Sequence, residues 1–291
     1  MRSLGIDVGV RKGLDLVVLE RDRLEPRALR VPVRRGDRRI RIPELEPAIR
    51  DVEPDVVAID SPPGWARRGS SRLTEREIRF FGIQSYGTPT RDRGIDHPFY
   101  EWMRVGFEAF RVAERCGYPR YGRGAARGTA IEVFPHASAV VLASCLPPRE
   151  ATKRAWRARV LRGAGVGLDG LRTTDQIDAA LAALTGLYAL AGRTTALGDP
   201  TEGVIVLPAR TLPSRPFRRC GADRSPDPQP RLRGMSPCAC GDPSCARLTA
   251  REFAPGHDAK RKSALWRAAR EGHDALDELR RRGWELPPEM R

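Results

Sequence analysis

Long hydrophobic runs are missing from this 291-residue chain: no apolar stretch reaches the ~18 residues that a membrane helix needs. The opening residues, MRSLGIDVGV, also lack the ~7–15-residue apolar stretch of a signal peptide. Together these absences exclude a membrane protein and set the expectation of a cytoplasmic one. Internal repeats are absent too, and the composition is not that of a collagen or a coiled coil. Lysine is scarce, supplying only four of 52 basic residues, so the positive charge is almost all arginine.

What is present is enough for a folded core: 40% of residues are hydrophobic and 31% are charged. Lys and Arg outnumber Asp and Glu by 52 to 37, giving a net charge of +15. Such a balance favours phosphate-rich partners through nonspecific attraction, and an Arg-, Ala-, Gly- and Pro-rich composition of a GC-rich genome would produce it equally. The last stretch, 209–291, carries 18 basic against 11 acidic residues, a mild concentration of the excess.

The pattern of apolar runs predicts an α/β domain. Leu4 to Val8, Leu14 to Leu19 and Ala28 to Val33 read as strands, and Pro43 to Val52 as a helix with Leu45, Ile49 and Val52 on one face. The continuous run Val56 to Asp60 reads as a strand buried on both faces, ended by Ser61-Pro62-Pro63-Gly64. Residues 64–128 read as an insertion that shapes a cleft, with helical patches at Leu73 to Phe81 and Phe99 to Ala113. Further on come a strand at Ala130 to Phe134, helices at Lys153 to Leu161 and Asp175 to Ala191, and a strand at Gly203 to Leu207. The span 211–237 is dense in Pro and Arg and reads as a linker. A Cys-rich module with an amphipathic helix at about Ala259 to Arg282 follows, over 238–291.

Four carboxylates stand where strands end or a helix begins: Asp7, Asp60, Asp175 and Asp178. If the first and fourth strands are neighbours, Asp7 and Asp60 project toward one edge, and Asp175 and Asp178 share a helix face at i, i+3. Acids packed so closely repel one another and need cations to stay ionised. All-oxygen ligands suit Mg²⁺ or Mn²⁺, and a pair of such ions suits phosphodiester hydrolysis. Each Asp taken alone also fits a turn, a cap or a helix dipole. Asp178 is the exception, because it falls near the buried face, where an unpaired carboxylate is costly.

The segments GIDVG (5–9), VVAIDSPPG (56–64), LTEREIRFFGI and GTPT (73–90), IEVFPH (131–136), TDQIDAAL (174–181) and GDPTEGVIVLP (198–208) resemble domain of unknown function 429. The resemblance, which covers roughly 1–210, implies a nuclease predicted from an RNase H-like fold. It implies a mixed sheet of five main strands flanked by helices, metal-dependent hydrolysis of DNA or RNA, and a metal site at Asp7, Asp60, Asp175 and Asp178. The D-x-x-D helix motif is also similar to that of Holliday-junction resolvases of the RuvC type. Glu132 is an additional candidate, as a ligand or a base that orients water, and otherwise an ordinary edge residue. His136 is a candidate proton shuttle or a structural histidine. Glu75, Arg76 and Arg79 form either a phosphate contact or a solvated helix face.

Six cysteines in a chain expected to be cytoplasmic argue for reduced thiols or a metal rather than disulfides. Cys116 and Cys145 stand alone and read as small buried hydrophobes. Cys238, Cys240 and Cys245 crowd into eight residues with Gly241 and Pro243, a spacing that suits structural Zn²⁺. The fourth zinc ligand is His257 or Cys220, and Asp258 is placed to orient an imidazole. The tail resembles short bacterial zinc-ribbon-like segments, and its Lys260, Arg261 and Lys262 suit phosphate contacts.

Two other functions compete with the nuclease. One is an inactive nucleic-acid-binding or scaffold protein on the same fold. The other is a phosphotransferase, since Asp7-Val8-Gly9 is similar to the phosphate loop of sugar kinases and actin-like ATPases, although no second such loop is visible. The sequence does not assign an oligomeric state.

Overall fold

The computed structural model describes residues 1–36 and 39–221, with Ser236–Pro237, Leu248–Thr249 and positions 261, 264, 265, 268 and 279 beyond them. Contacts divide the chain into Met1–Arg233 and Gly234–Arg291. In the second unit, Ser236–Pro237 pairs antiparallel with Leu248–Thr249, and Leu265 and Leu279 are buried. Cys238, Cys240, Cys245 and His257, with most of the expected C-terminal helix, lie outside the described residues.

The first unit is built on β1 (Arg2–Val8), β2 (Leu14–Glu20) and β3 (Arg27–Val31), a short hairpin of β4 (Arg34–Gly36) and β5 (Arg39–Arg41), α1 (Leu45–Val52) and β6 (Val56–Asp60). Next come α2 (Leu73–Phe80), α3 (Arg91–Gly94), a 3₁₀ turn at Pro98–Tyr100, α4 (Glu101–Arg115), β7 (Ala130–Val133), α5 (Pro135–Ala143), α6 (Lys153–Gly163), α7 (Thr174–Leu190), β8 (Thr195–Asp199) and β9 (Gly203–Leu207). Seven strands form one mixed sheet in the order β3-β2-β1-β6-β7-β9-β8. The expected five-strand sheet is therefore too small. β9 joins β7 in parallel, and β8 adds an antiparallel edge that no apolar run announced.

Strand alternation sorts the residues of β1 into two faces. Leu4 and Ile6 enter a core with Leu16, Ile49, Val57, Ile59, Val105 and Phe110, so α1 and α4 cover that side. Ser3, Gly5 and Asp7 face α7. The stretch expected as an insertion is thus part of the core, because α4 buries Val105, Ala109, Phe110, Val112 and Ala113. α7 is apolar nearly all round, with every residue from Ile177 to Leu190 buried, as befits a helix held between the sheet and α5 and α6.

Two cysteine expectations are corrected. Cys145 and Cys220 form a disulfide with Cα atoms 5.3 Å apart. They meet because Leu146 N–H donates to Arg218 O at 2.8 Å and Cys220 N–H donates to Leu146 O at 2.9 Å. Cys145 is therefore not a lone thiol, and the sulfur of Cys220 is not free to act as a zinc thiolate. The start of the expected linker also belongs to the folded unit, since Phe217 N–H donates to Phe81 O at 3.0 Å. Among the described residues no helix is long and apolar enough to cross a membrane.

Candidate active site

β1 and β6 run parallel in a register that places Asp7 beside Asp60. Asp60 is the last residue of its strand, because Pro62 and Pro63 follow and proline cannot donate to a ladder. Both side chains emerge on the α7 face at the carboxyl-end edge of the sheet. Their partner on the helix is Asp178, which is 4% exposed. The helix reaches the strands closely because a Cβ on Gly5 would collide with the Ala179 carbonyl, and one on Gly186 would collide with Ser3 Oγ. Glycine at these two places is what lets α7 lie directly on β1 and carry Asp178 to the strand acids.

The helix start is fixed by a capping box. Thr173 Oγ1 accepts from Gln176 N–H, and Gln176 Oε1 accepts from Thr173 N–H, both at 3.1 Å. This puts Asp175 in the first turn, where the helix dipole favours an acid. Asp175 pairs with Lys12 at 3.3 Å and contributes repulsion to Asp7 from the side.

Two cations from α6 meet Asp178. Arg157 Nη1 donates to both of its carboxylate oxygens, and Lys153 Nζ lies 3.3 Å from Oδ2. Arg157 is as buried as Asp178, whereas the Lys153 side chain is 61% exposed. The sequence-based search missed this pair, although Lys153 and Arg157 stand at i, i+4 on one helix face just upstream of the D-x-x-D motif.

Even with these cations nearby, the strand acids hold protons tightly. Burial, then the charges of Asp60, Asp178 and Asp175, push the Asp7 carboxyl well above the usual range. Burial and Asp178 push Asp60 up to about 7, against the opposing pull of Arg157 and Lys153. Asp7 and Asp60 also share a side-chain hydrogen bond. One proton held between two neighbouring carboxyls relieves their repulsion.

Glu132 lines the same cavity as Asp60 but comes to it from the other face of the sheet. Its register partner on β6 is Ile59, one residue before Asp60, so it leaves the opposite face of the sheet. There Arg72 holds it by two bonds, 2.8 and 2.5 Å, and also donates from Nε to Glu75 at 3.0 Å. Glu75 is buried, with Thr88 N–H and hydroxyl donating to it, and it lines the cavity beside Asp60. Arg79 braces the backbone at Ser85 and the Ser71 hydroxyl, and Arg76 reaches the Ser71 carbonyl at 3.3 Å. All three α2 residues thus have local structural partners. Sequence inspection had not singled out Arg72, the hub of the network.

His136 lies at the start of α5, its ring 5.9 Å from those of Phe134 and Trp156. Burial, then the charges of Arg157 and Lys153, lower its pKa to about 4, so the imidazole is neutral at neutral pH.

The carboxyl-end edge opens into a cavity of about 390 Å³ bordered by Asp60, Lys153, Tyr86, Phe99, Trp102 and Phe134. It is of a size that suits a small ligand or part of a larger one. Among the described residues no group of three or more His, Cys, Asp or Glu side chains is disposed to hold a metal as it stands, since Asp178 is already engaged by Arg157.

A search of curated proteins finds no match. A family model does match, over residues 5–202, a span that takes in Asp7, Asp60, α6 and α7. The chain accordingly belongs to the family described as Protein of unknown function (DUF429).

Proposed function

We propose that this protein is a metal-dependent hydrolase of nucleic-acid phosphodiester bonds, with Asp7, Asp60 and Asp178 as its ligand set on an RNase H-like core. The observation that carries it is the pairing of Asp7 with Asp60 at one register position, facing Asp178 across a close helix contact and next to an open cavity. The order β3-β2-β1-β6-β7, antiparallel strands continuing into parallel ones, supports the RNase H-like assignment.

The donors fit a hard divalent cation in chemistry: they are carboxylate oxygens, and the raised proton affinity of Asp7 and Asp60 marks a place where positive charge is stabilised. Arg157 and Lys153 supply part of that charge, and Asp178 becomes a ligand when Arg157 turns aside. Bound Mg²⁺ or Mn²⁺ would supply Lewis acidity for an attacking water and for the leaving oxygen. The residues do the rest. Lys153, exposed at the cavity wall, is placed to bind a phosphate oxygen. Arg157 holds the Asp178 side chain in position until the site fills. His136, neutral and next to both cations, offers a nitrogen that accepts a hydrogen bond without adding charge.

The C-terminal unit is proposed to hold structural Zn²⁺ through Cys238, Cys240 and Cys245, with His257 as the remaining candidate now that Cys220 is in a disulfide. One observation favours the inactive-scaffold alternative: the Arg157 clamp occupies Asp178. The two are separated by incubating the protein with labelled single- and double-stranded DNA and RNA in Mg²⁺ or Mn²⁺. Cleavage that disappears in Asp60→Asn supports the hydrolase; binding without product under any divalent metal supports the scaffold.

A further inference from the structure

Two cavities flank the loop that follows Asp60. Ser61 and Pro62 border the first, already described, and Pro63, Gly64 and Trp65 border a second of about 570 Å³. α4 continues the division, with Trp102 and Met103 on the first cavity and Arg104, Phe107 and Arg111 on the second.

The two walls differ in chemistry. Tyr86 and Phe99 stand at the first with 69% and 47% of their surface exposed, ring centroids 5.2 Å apart and nearly perpendicular. Exposed aromatic rings cost solvation free energy, and their concentration beside a cavity marks a surface that something apolar and flat covers. The second cavity is lined by Arg41, Arg91, Arg104, Arg111 and Arg120, against the single carboxylate of Glu108. Glu108 pairs with Arg111, and Arg104 donates to the Ile95 carbonyl. Arg41, Arg91 and Arg120 are exposed and have no acidic partner among the described residues. Unneutralised guanidiniums converging on one hollow are suited to phosphate oxygens.

We propose, resting on the hydrolase reading above, that the substrate is an unpaired strand lying across the Ser61–Trp65 loop. One base stacks among Tyr86, Phe99 and Trp102, next to the carboxylates, and the adjoining backbone phosphates lie on Arg41, Arg91 and Arg120. Bases of an intact duplex have both faces stacked on their neighbours, so they cannot meet these rings without being extruded. An unpaired base has a free π-face, and rings of this kind accept any of the four. The site therefore selects strandedness rather than sequence, and the phosphate hollow extends the grip beyond the base.

The test measures binding in EDTA, so that cleavage plays no part, using a short oligonucleotide with one 2-aminopurine, as DNA and as RNA, single-stranded and annealed. The single strand is expected to bind at least roughly tenfold more tightly than the duplex. Tyr86→Ala with Phe99→Ala should weaken the single strand by roughly tenfold or more while leaving the duplex unchanged. The triple variant Arg41→Ala, Arg91→Ala, Arg120→Ala should lower the slope of log K against log salt by about 2, the value for three lost contacts on a single strand. Since all five side chains are exposed, melting temperatures near wild type are expected and are checked alongside. Equal affinity for duplex and single strand, an aromatic variant that binds like wild type, or an unchanged salt slope would overturn the proposal. The two claims fail separately. Selective binding in EDTA without cleavage in Mg²⁺ or Mn²⁺ would sink the hydrolase alone, and cleavage with indifference to strandedness would sink this inference alone.

Discussion

Arg157 grips both carboxylate oxygens of Asp178 while Asp7 and Asp60 sit side by side across from them with raised proton affinity. The site is thus held together in the absence of metal by one guanidinium, one ammonium and a shared proton. That arrangement makes its stability depend on which cation is present.

Removing the guanidinium tests this directly. Arg157→Met leaves the nearly buried Asp178 with Lys153 alone, and breaking a buried ion pair from one side costs roughly 3–5 kcal/mol. The variant is expected to melt well below wild type in EDTA and to recover more of its stability than wild type does when Mn²⁺ is added. Equal Mn²⁺-induced shifts in the two proteins would show that Asp178 is not a ligand.

The strand acids give a pH dependence with a definite sign. Both have raised proton affinity in the folded state, so between about pH 4 and 7 the folded chain binds more protons than the unfolded one through Asp60. Metal-free stability from this group is present below about pH 4 and is lost as pH rises through about 7. His136 acts oppositely between about 4 and its unfolded value of ~6.5, its lowered pKa making stability rise with pH there. The informative quantity is therefore the difference between wild type and Asp60→Asn. The variant should be the more stable protein at neutral pH, by at most about 4 kcal/mol, and the two curves should converge near pH 4. Urea unfolding at several pH values in EDTA measures it, and parallel curves would contradict the assignment.

Much of the core was legible because β1, β2 and β6 are written in short apolar runs and α7 repeats Ile177, Leu181, Leu184 and Tyr188 at the helical period. β8 was not, since Thr195–Asp199 is mostly half-buried and has no clear alternation; pairing with β9, not composition, makes it a strand. α5 was hidden for the opposite reason, being apolar all round, so that no period marks it as a helix. At the site, the strand-end positions of Asp7 and Asp60 and the i, i+3 spacing of Asp175 and Asp178 were legible, whereas the pairing of Asp175 with Lys12 was not. The sheet face of Glu132 was not legible because it changes with each single step of register, which only Ile59 opposite it reveals. The Arg157 clamp and the Cys145–Cys220 bond are tertiary, and neither leaves a local pattern to read.

Close approach of α7 to β1 predicts a strong effect from a single methyl group. Gly5→Ala places a Cβ against the Ala179 carbonyl, and overpacking of this kind costs typically ~1–3 kcal/mol. The shift of α7 should also draw Asp178 from Asp7 and Asp60, so Mn²⁺ stabilisation should fall with it. Ser3→Ala, on the same face, removes a buried hydroxyl without a hydrogen-bond partner and should be neutral or mildly stabilising. Thermal unfolding with and without Mn²⁺ compares the two; equal behaviour would mean that the helix does not hold the site together.

The disulfide and the zinc assignment separate cleanly. Reducing a bond between residues 75 apart in sequence should cost up to about 4.5 kcal/mol by loop-closure entropy. Cys220→Ser should lower stability by a comparable amount yet keep one zinc per chain by atomic absorption. Cys238→Ser should lose the zinc and leave the melting of the first unit unchanged. Zinc lost on substituting Cys220 would show that its sulfur is a zinc ligand after all.

On the proposed reading, Asp7 and Asp60 jointly bind a divalent cation in place of protons they hold. Calorimetric titration with Mn²⁺ near pH 6.5, in two buffers of different ionisation enthalpy, tests it most directly. Saturable binding is expected that releases roughly one to two protons per ion, since Asp7 and Asp60 both hold protons at this pH, and that vanishes in Asp7→Asn and Asp60→Asn while both variants stay folded. Binding of the same strength in either variant, or no binding to wild type at all, would contradict it.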